Sequence, residues 1–404
     1  MFKQLKRWRT ALCLTTLALL AFAAASCTKE AEPVKIGILH SLSGTMAISE
    51  TSLRDAVLMA VDEINAKGGV LGRKLELIPR DTKGNADEAV RVSRELILKD
   101  NVDFLVGTLT SAEGPAVSTI AKENKIVFIA PIPKTDQLTA PANLHPYVFR
   151  TASNTTIEGR TAAEIVAKWP VKKIATIAPD YAYGQDVAKA FVEHIKKIRP
   201  DVEIVDQQWP KLGEADYTPF INAQMGKKPE AVFSALWGGH FLTFAKQAKP
   251  LKYFDNVNYN FIAGGEGASI ESTRTMGADY PVGIWGNAYD AFNWEGAPPA
   301  HKDYIARVAA YTKQDPPSSW PVTGYVAMQM LTEAIKKANS IESDKVAKAL
   351  LDLTIDTPIG KQTMNGKDHQ ANRGQVWGKT VSDPKYPFAV MKDILYIDPT
   401  PFMN

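Results

Sequence analysis

The chain has 404 residues, 45% hydrophobic and 23% charged, a globular composition too long for one core and ordinary for two. Lys3, Lys6, Arg7 and Arg9 lie in the first 26 residues with no acid among them, so beyond that point 43 bases face 44 acids, a formal charge of −1. Nucleic-acid binders keep a basic excess, and that balance takes away most of the case for one.

The four bases precede an apolar run from Ala11 to Phe22 and then Ala-Ala-Ala-Ser-Cys, ending at Cys27. That order reads as an export signal, too short for a stable membrane span. Small residues directly before a thiol resemble a bacterial lipobox, with Ala24 where Leu is usual. Residues 1–26 are therefore expected as a signal peptide, Cys27 as the lipidated first residue, and 27–33 as a tether to the membrane; ordinary cleavage beside an incidental cysteine is the alternative. The only other cysteine is Cys13, so the exported chain has no internal disulfide and no thiol nucleophile or metal ligand.

Val34–His40 is β-rich and reads as a buried first strand. Ser52–Lys67 places Leu53, Ala56, Val57, Ala60, Val61 and Ile64 on one helical face, and Gly68-Gly69 ends it. Strands follow at Leu75–Pro79, Phe104–Gly107 and Val127–Ala130, with helices at Ala86–Lys99 (core residues Val90, Leu96 and Ile97) and Ala112–Asn124. The pattern restarts with strands at Lys173–Ala178, Val202–Gln207, Ala231–Leu236, Asn260–Ala263 and Val282–Trp285. Helices at Tyr183–Ile198, Tyr217–Met225 and His240–Ala248 separate the first four of these. Such alternation predicts an α/β fold of two tandem units, each a parallel sheet with helices on both faces. No Gly/Ser- or Pro-rich linker lies between them, which favours lobes sharing several short crossings. Ligands of open parallel sheets bind beyond the carboxyl ends of the strands, which directs attention to the loops after Leu39, Gly107, Ala130, Ala178, Leu236 and Ala263.

Two segments, Lys35-Ile-Gly-Ile-Leu-His-Ser-Leu-Ser-Gly-Thr-Met-Ala-Ile-Ser-Glu50 and Asp62-Glu-Ile-Asn-Ala-Lys-Gly-Gly-Val-Leu-Gly72, resemble the type I periplasmic binding proteins over residues 34–400. The first is similar to the urea/amide branch; the Asn-Ala-Lys-Gly-Gly turn is shared with the leucine/isoleucine/valine branch. The resemblance implies two doubly wound lobes joined by three hinge crossings, near residues 153, 283 and 361. Lobe 1 would be 34–153 with 284–360, and lobe 2 154–283 with 361–404. It also implies an ABC permease as partner and a small amino acid or organic acid as ligand, with amides, urea, aromatic acids or a sensory role as alternatives. No cofactor is expected.

Site residues follow from the same resemblance. The amides and hydroxyl of Leu109, Thr110 and Ser111 match a grip on the ligand's carboxylate at a helix N-terminus, which Ser111 would also cap. Ile132, Pro133 and Lys134 fall where the branched-chain receptors complete that shell with a small residue and Thr; Lys134 either pairs with an anionic ligand or points to solvent. Tyr183 matches an aromatic that packs on the ligand, or packs on its own loop. His240, after Gly238-Gly239, is either a cleft residue or an ordinary packed histidine. Glu266 aligns with the acid that pairs with a ligand ammonium, or is a solvated loop carboxylate. Trp320 is a ligand-contacting aromatic or plain core, and Ser49 replaces a Tyr and reshapes the pocket. The family's disulfide positions, near Gly84 and Thr110, carry no cysteine.

Nothing in the sequence requires catalysis. It holds no HExxH, GxSxG or P-loop, and its six histidines form no cluster with cysteine. A hydrolase would have to be assembled from Ser111, His240 and Glu266.

Overall fold

The computed structural model describes residues 31–43, 47–258 and 260–403, without the side chains of 47–51. The export segment and Cys27 lie outside the described residues.

The chain opens with β1 (Val34–His40), α1 (Ala47–Ala66), β2 (Leu75–Asp81), α2 (Ala86–Leu98), β3 (Phe104–Gly107), α3 (Glu113–Asn124), β4 (Val127–Ala130) and β5 (Val148–Arg150). These strands form one all-parallel sheet in the order β2-β1-β3-β4-β5. The next stretch supplies α4 (Thr155–Val166), β6 (Lys173–Ile177), α5 (Ala182–Ile198), β7 (Glu203–Gln208), α6 (Thr218–Lys227) and β8 (Ala231–Ser234). It continues with α7 (Gly238–Ala248), α8 (Tyr253–Asn256), β9 (Phe261–Ala263), α9 (Ile270–Met276) and β10 (Trp285–Ala288). Three helices follow, α10 (Pro299–Thr312), α11 (Pro321–Ala338) and α12 (Ser343–Leu350), of which α10 and α11 pack on α1 of the first unit. A hairpin of β11 (Thr354–Thr357) and β12 (Gly360–Thr363) then leads to β13 (Gln375–Val381) and β14 (Val390–Ile397). The second sheet runs β14-β13-β10-β9-β8-β6-β7.

The structure is the expected α/β fold of two doubly wound lobes, with two differences of detail. The second sheet is parallel only from β7 to β10, since β13 and β14 are added antiparallel. The strand expected at Val282–Trp285 begins at Trp285, because Gly283 has φ +87° and breaks the extended run while Val282 is left exposed. The chain leaves the first sheet after Arg150, leaves the second after Ala288, and re-enters it between Thr363 and Gln375.

The apolar faces explain the layering. Leu53, Ala56, Val57, Ala60 and Val61 of α1 are buried with Val34, Ile36 and Ile38 of β1 and with Val322, Val326 and Met330 of α11. In α2 the buried residues are Ala89, Val92, Ser93 and Leu96, whereas Val90 and Ile97 are half-buried. Phe191 of α5 stacks on Phe233 of β8 with ring centres 4.4 Å apart. Gly107 closes β3 at φ +134°, and a Cβ there would stand 2.2 Å from the Leu39 carbonyl oxygen. Only glycine lets β3 turn away so close to the end of β1.

Candidate ligand site between the sheets

Strand order reverses between β1 and β3 in one sheet and between β6 and β8 in the other, and the loops beyond those strands face one another. They enclose a cavity of about 300 Å³, mouth included, lined by Leu109, Ser111, Ile132, Lys134, Tyr181, Tyr183, Trp237, Glu266, Tyr289 and Trp320. The first sheet's loops after β3 and β4 provide four of these residues. The second sheet provides four from the loops after β6, β8, β9 and β10 and a fifth, Tyr183, from the first turn of α5, and Trp320 precedes α11.

The electrostatic centre is a three-residue ion cluster. The Lys134 ammonium, from the first sheet, donates to the carboxylates of Glu158 and Glu266, from the second. All three are buried, with 4%, 0% and 5% of their surface exposed. Glu158 is fully used: its Oε1 also accepts from the Tyr183 hydroxyl at 2.6 Å and the Gly265 amide at 2.8 Å. Gly265 can make that approach only without a side chain, since at φ +61° a Cβ would sit 2.8 Å from the Trp237 Cβ. Glu266 itself is held at φ +58°, a conformation costing a non-glycine residue about 1 kcal/mol or more and typical of functional loops. Burial pushes the Glu266 carboxyl up to about 7, with Lys134 opposing the rise and Glu158 adding to it. Burial works against the Lys134 charge, but the two carboxylates hold its ammonium well above the ordinary lysine range. The ammonium also lies 4.9 Å from the centre of the Tyr289 ring.

Arg150 fixes the loop that carries Lys134. Fully buried, its guanidinium donates to the carbonyls of Thr135 at 2.6 Å and Lys134 at 3.3 Å, to the Thr139 hydroxyl at 2.9 Å and to the Gln370 side-chain oxygen. From the far lobe, Asp186 accepts from the Thr135 hydroxyl at 2.6 Å. Behind Glu266 runs a neutral relay: the Glu266 amide donates to Asn287, Asn287 donates to Gln375 at 2.7 Å, and Gln375 donates to the Ser153 hydroxyl. Ser153, Asn287 and Gln375 stand at or beside the three crossings.

The cavity collects seven of the expected site residues: Leu109, Ser111, Ile132, Lys134 and Glu266 from loops, Tyr183 from the first turn of α5, and Trp320 from the residue before α11. The rest lie elsewhere or act differently. Ser111 does not cap α3. Thr110 and Glu113 do so reciprocally, the Thr110 hydroxyl accepting the Glu113 amide at 3.1 Å. The Glu113 carboxylate in turn accepts the amides of Thr110 at 2.8 Å and Leu109 at 3.3 Å. The Ser111 hydroxyl instead accepts the Thr135 amide at 3.1 Å. Pro133 does not line the cavity, and a Cβ added at Gly114 of α3 would lie 2.7 Å from its Cβ. His240 is one turn into α7, its Nδ1 3.3 Å from the Tyr217 hydroxyl, and its place at the cavity is taken by Trp237 before the glycines. Burial lowers its pKa. Ser49 is on α1 with its side chain outside the described residues.

Sequence reasoning missed Tyr181, Trp237, Tyr289 and Glu158. Tyr181, Trp237 and Trp320 are the residues preceding α5, α7 and α11, none makes a side-chain cap, and none of these helices has an acid in its first turn. Three partial positive charges thus converge on the cavity wall. Among the described residues Trp320 Nε1 is buried without a hydrogen-bond partner.

A family model described as periplasmic binding protein matches residues 33–379. The chain belongs to the periplasmic binding protein family. Within it, the relatives place this periplasmic binding protein in the type I, branched-chain amino-acid group. A Leu/Ile/Val-binding protein of Rhizobium johnstonii is 30% identical over 334 residues, 82% of this chain and 87% of that one. A leucine-, isoleucine-, valine-, threonine- and alanine-binding protein of Pseudomonas aeruginosa is 26% identical over 356 residues, 86% and 90% of the two chains. Among solved structures, an ABC-transporter solute-binding protein of Rhodopseudomonas palustris in complex with 3,4-dihydroxybenzoic acid matches with TM-score 0.80 at 21% identity, covering 92% of this chain and 99% of that one. As a periplasmic binding protein the chain is a solute binder, and no helix among its described residues is long and apolar enough to cross a membrane.

Proposed function

We propose that this protein is the receptor of an ABC importer for a small carboxylic acid that has a flat apolar body and no α-ammonium group. One observation carries the reading: the carboxylate aligned with the family's ammonium partner, Glu266, is already engaged by the protein's own Lys134. The amides of Leu109 and Thr110 are likewise engaged by Glu113. Both ends of an α-amino acid therefore meet internal substitutes. What is left over suits an aromatic acid, namely an aromatic-walled cavity, three uncapped helix N-termini and the unpaired Trp320 indole N–H. The third Lys134 proton is a further donor for the ligand's carboxylate.

The relatives' names favour a second reading, a branched-chain amino acid. Thermal-shift and calorimetric screening separates the two, because a ligand that binds only the folded state raises the melting temperature. Benzoate-type acids should stabilise the protein and L-leucine should not; the reverse result would remove the proposal.

The export signal and the Ala-Ala-Ala-Ser-Cys27 sequence support delivery across the inner membrane and attachment through lipidated Cys27. Mass spectrometry of the membrane fraction, seeking a diacylated N-terminal peptide at Cys27, tests that part. A free N-terminus in the soluble fraction would overturn it.

A further inference from the structure

Two carboxylates and one ammonium share the cavity, so the cluster carries one uncompensated negative charge when all three are ionised. The groups facing Glu266 do not offset it. They are Lys134 from the loop after β4, Glu158 from α4, Tyr183 from α5, Glu271 from α9, and Tyr289 beyond β10, with neutral Asn287 behind. An organic anion entering this space adds a second negative charge in a dry environment, where repulsion between like charges is strong.

The two acids are not equivalent. Glu158 accepts three hydrogen bonds, from Lys134, Tyr183 and Gly265. Among the described residues the only side-chain donor to the Glu266 carboxylate is Lys134. Glu266 is therefore the poorer-solvated carboxylate and the one to give up its charge.

We propose that this cleft captures its organic acid together with one proton from solvent, and that the proton resides on Glu266. The inference rests on the reading of the ligand as an amine-free carboxylate. One proton changes hands: a buffer acid or hydronium loses it, an O–H bond forms on the Glu266 carboxylate as the free anion enters, and the occupied site differs from the empty one by no net charge. The protonated Glu266 then becomes a hydrogen-bond donor beside the ligand. Burial already brings its pKa to about 7 in the empty site, and a bound anion raises it further, so uptake is largest above neutral pH and vanishes where Glu266 is protonated beforehand.

Calorimetry on the full mature protein tests this with benzoate, 4-hydroxybenzoate and phenylacetate as probes, in phosphate and in Tris, two buffers of very different ionisation enthalpy. At about pH 8 the tightest-binding probe should show uptake of about one proton, falling towards zero near pH 5.5. Its affinity should weaken by up to about tenfold per pH unit above neutrality. Glu266→Gln should bind the same acid with no buffer dependence. Equal enthalpies in both buffers for wild type at about pH 8, or uptake persisting in E266Q, overturn the proton linkage alone. The wild-type measurement decides even if the variant does not fold. Binding of L-leucine with none of the three acids binding overturns the carboxylate reading, and the linkage with it.

Discussion

Lys134 and Glu266 sit on loops from different sheets, 132 positions apart in sequence, and their ammonium and carboxylate are bonded to each other. On the proposed reading, the protein places its own cation where a ligand's ammonium would otherwise sit. Replacing Lys134 by Met leaves two buried acids unpaired, and breaking a buried ion pair from one side costs about 3–5 kcal/mol. The K134M variant should unfold at lower urea concentration than wild type. It should also gain measurable calorimetric affinity for L-leucine, whose ammonium can take the vacated place. An unchanged urea midpoint would refute the burial argument, and continued indifference to leucine the substitution argument.

Trp320 offers an indole N–H to the cavity with no partner among the described residues. Trp320→Phe keeps an aromatic wall and deletes the donor. If that N–H binds the acid, affinity should fall about fivefold, the equivalent of roughly 1 kcal/mol. A titration showing equal affinity would assign the tryptophan to shape alone.

Arg150 spends its guanidinium on the loop 134–139 and Gln370, with no carboxylate bonded to it among the described residues. Arg150→Met should cost about 2–4 kcal/mol, because several buried acceptors lose their donor together. Amide exchange in residues 133–139 should accelerate more than in β1. Uniform acceleration would mean that Arg150 supports the lobe generally rather than this loop.

His145 supplies a pH dependence remote from the cleft. Its Nδ1 accepts the Tyr147 amide at 3.2 Å and its Nε2 meets the Ser118 hydroxyl at 2.8 Å, so the neutral ring satisfies both nitrogens. Burial, aided by the nearby Lys122 charge, lowers its pKa from 6.5 to about 4. Between these values the unfolded chain binds the extra proton and the folded one does not, so stability falls as pH falls from about 6.5 towards 4. Urea midpoints across that range should drop for wild type and drop less steeply for His145→Gln. Parallel slopes would exclude the histidine as the cause.

The fold was legible because short apolar runs, buried on both faces as strands, alternate cleanly with helices of period 3.6, and most expected elements lie within a few residues of the observed ones. The site was legible only in part. Lys134, Tyr183, Glu266 and Trp320 follow strands or precede helices, and position alone points them at the cavity. Tyr289 was missed because the preceding strand was set three residues early, which moved its carboxyl end away from Ala288. Trp237 was missed in favour of His240, since the residue that faces inward depends on Gly238, which turns the chain at φ +49°. Glu158 gave no local signal. It looks like any acid in the first turn of a helix, and only the tertiary approach of Lys134 and Gly265 distinguishes it.

The relay through Ser153, Gln375 and Asn287 to the Glu266 amide contains hydroxyl, carboxamide and peptide groups only. None of these changes protonation anywhere near physiological conditions. The link that this relay makes between the segments joining the two sheets is thus indifferent to acidity. If the proposed proton capture at Glu266 holds, a shift in the surroundings retunes how firmly cargo is held and leaves that link untouched.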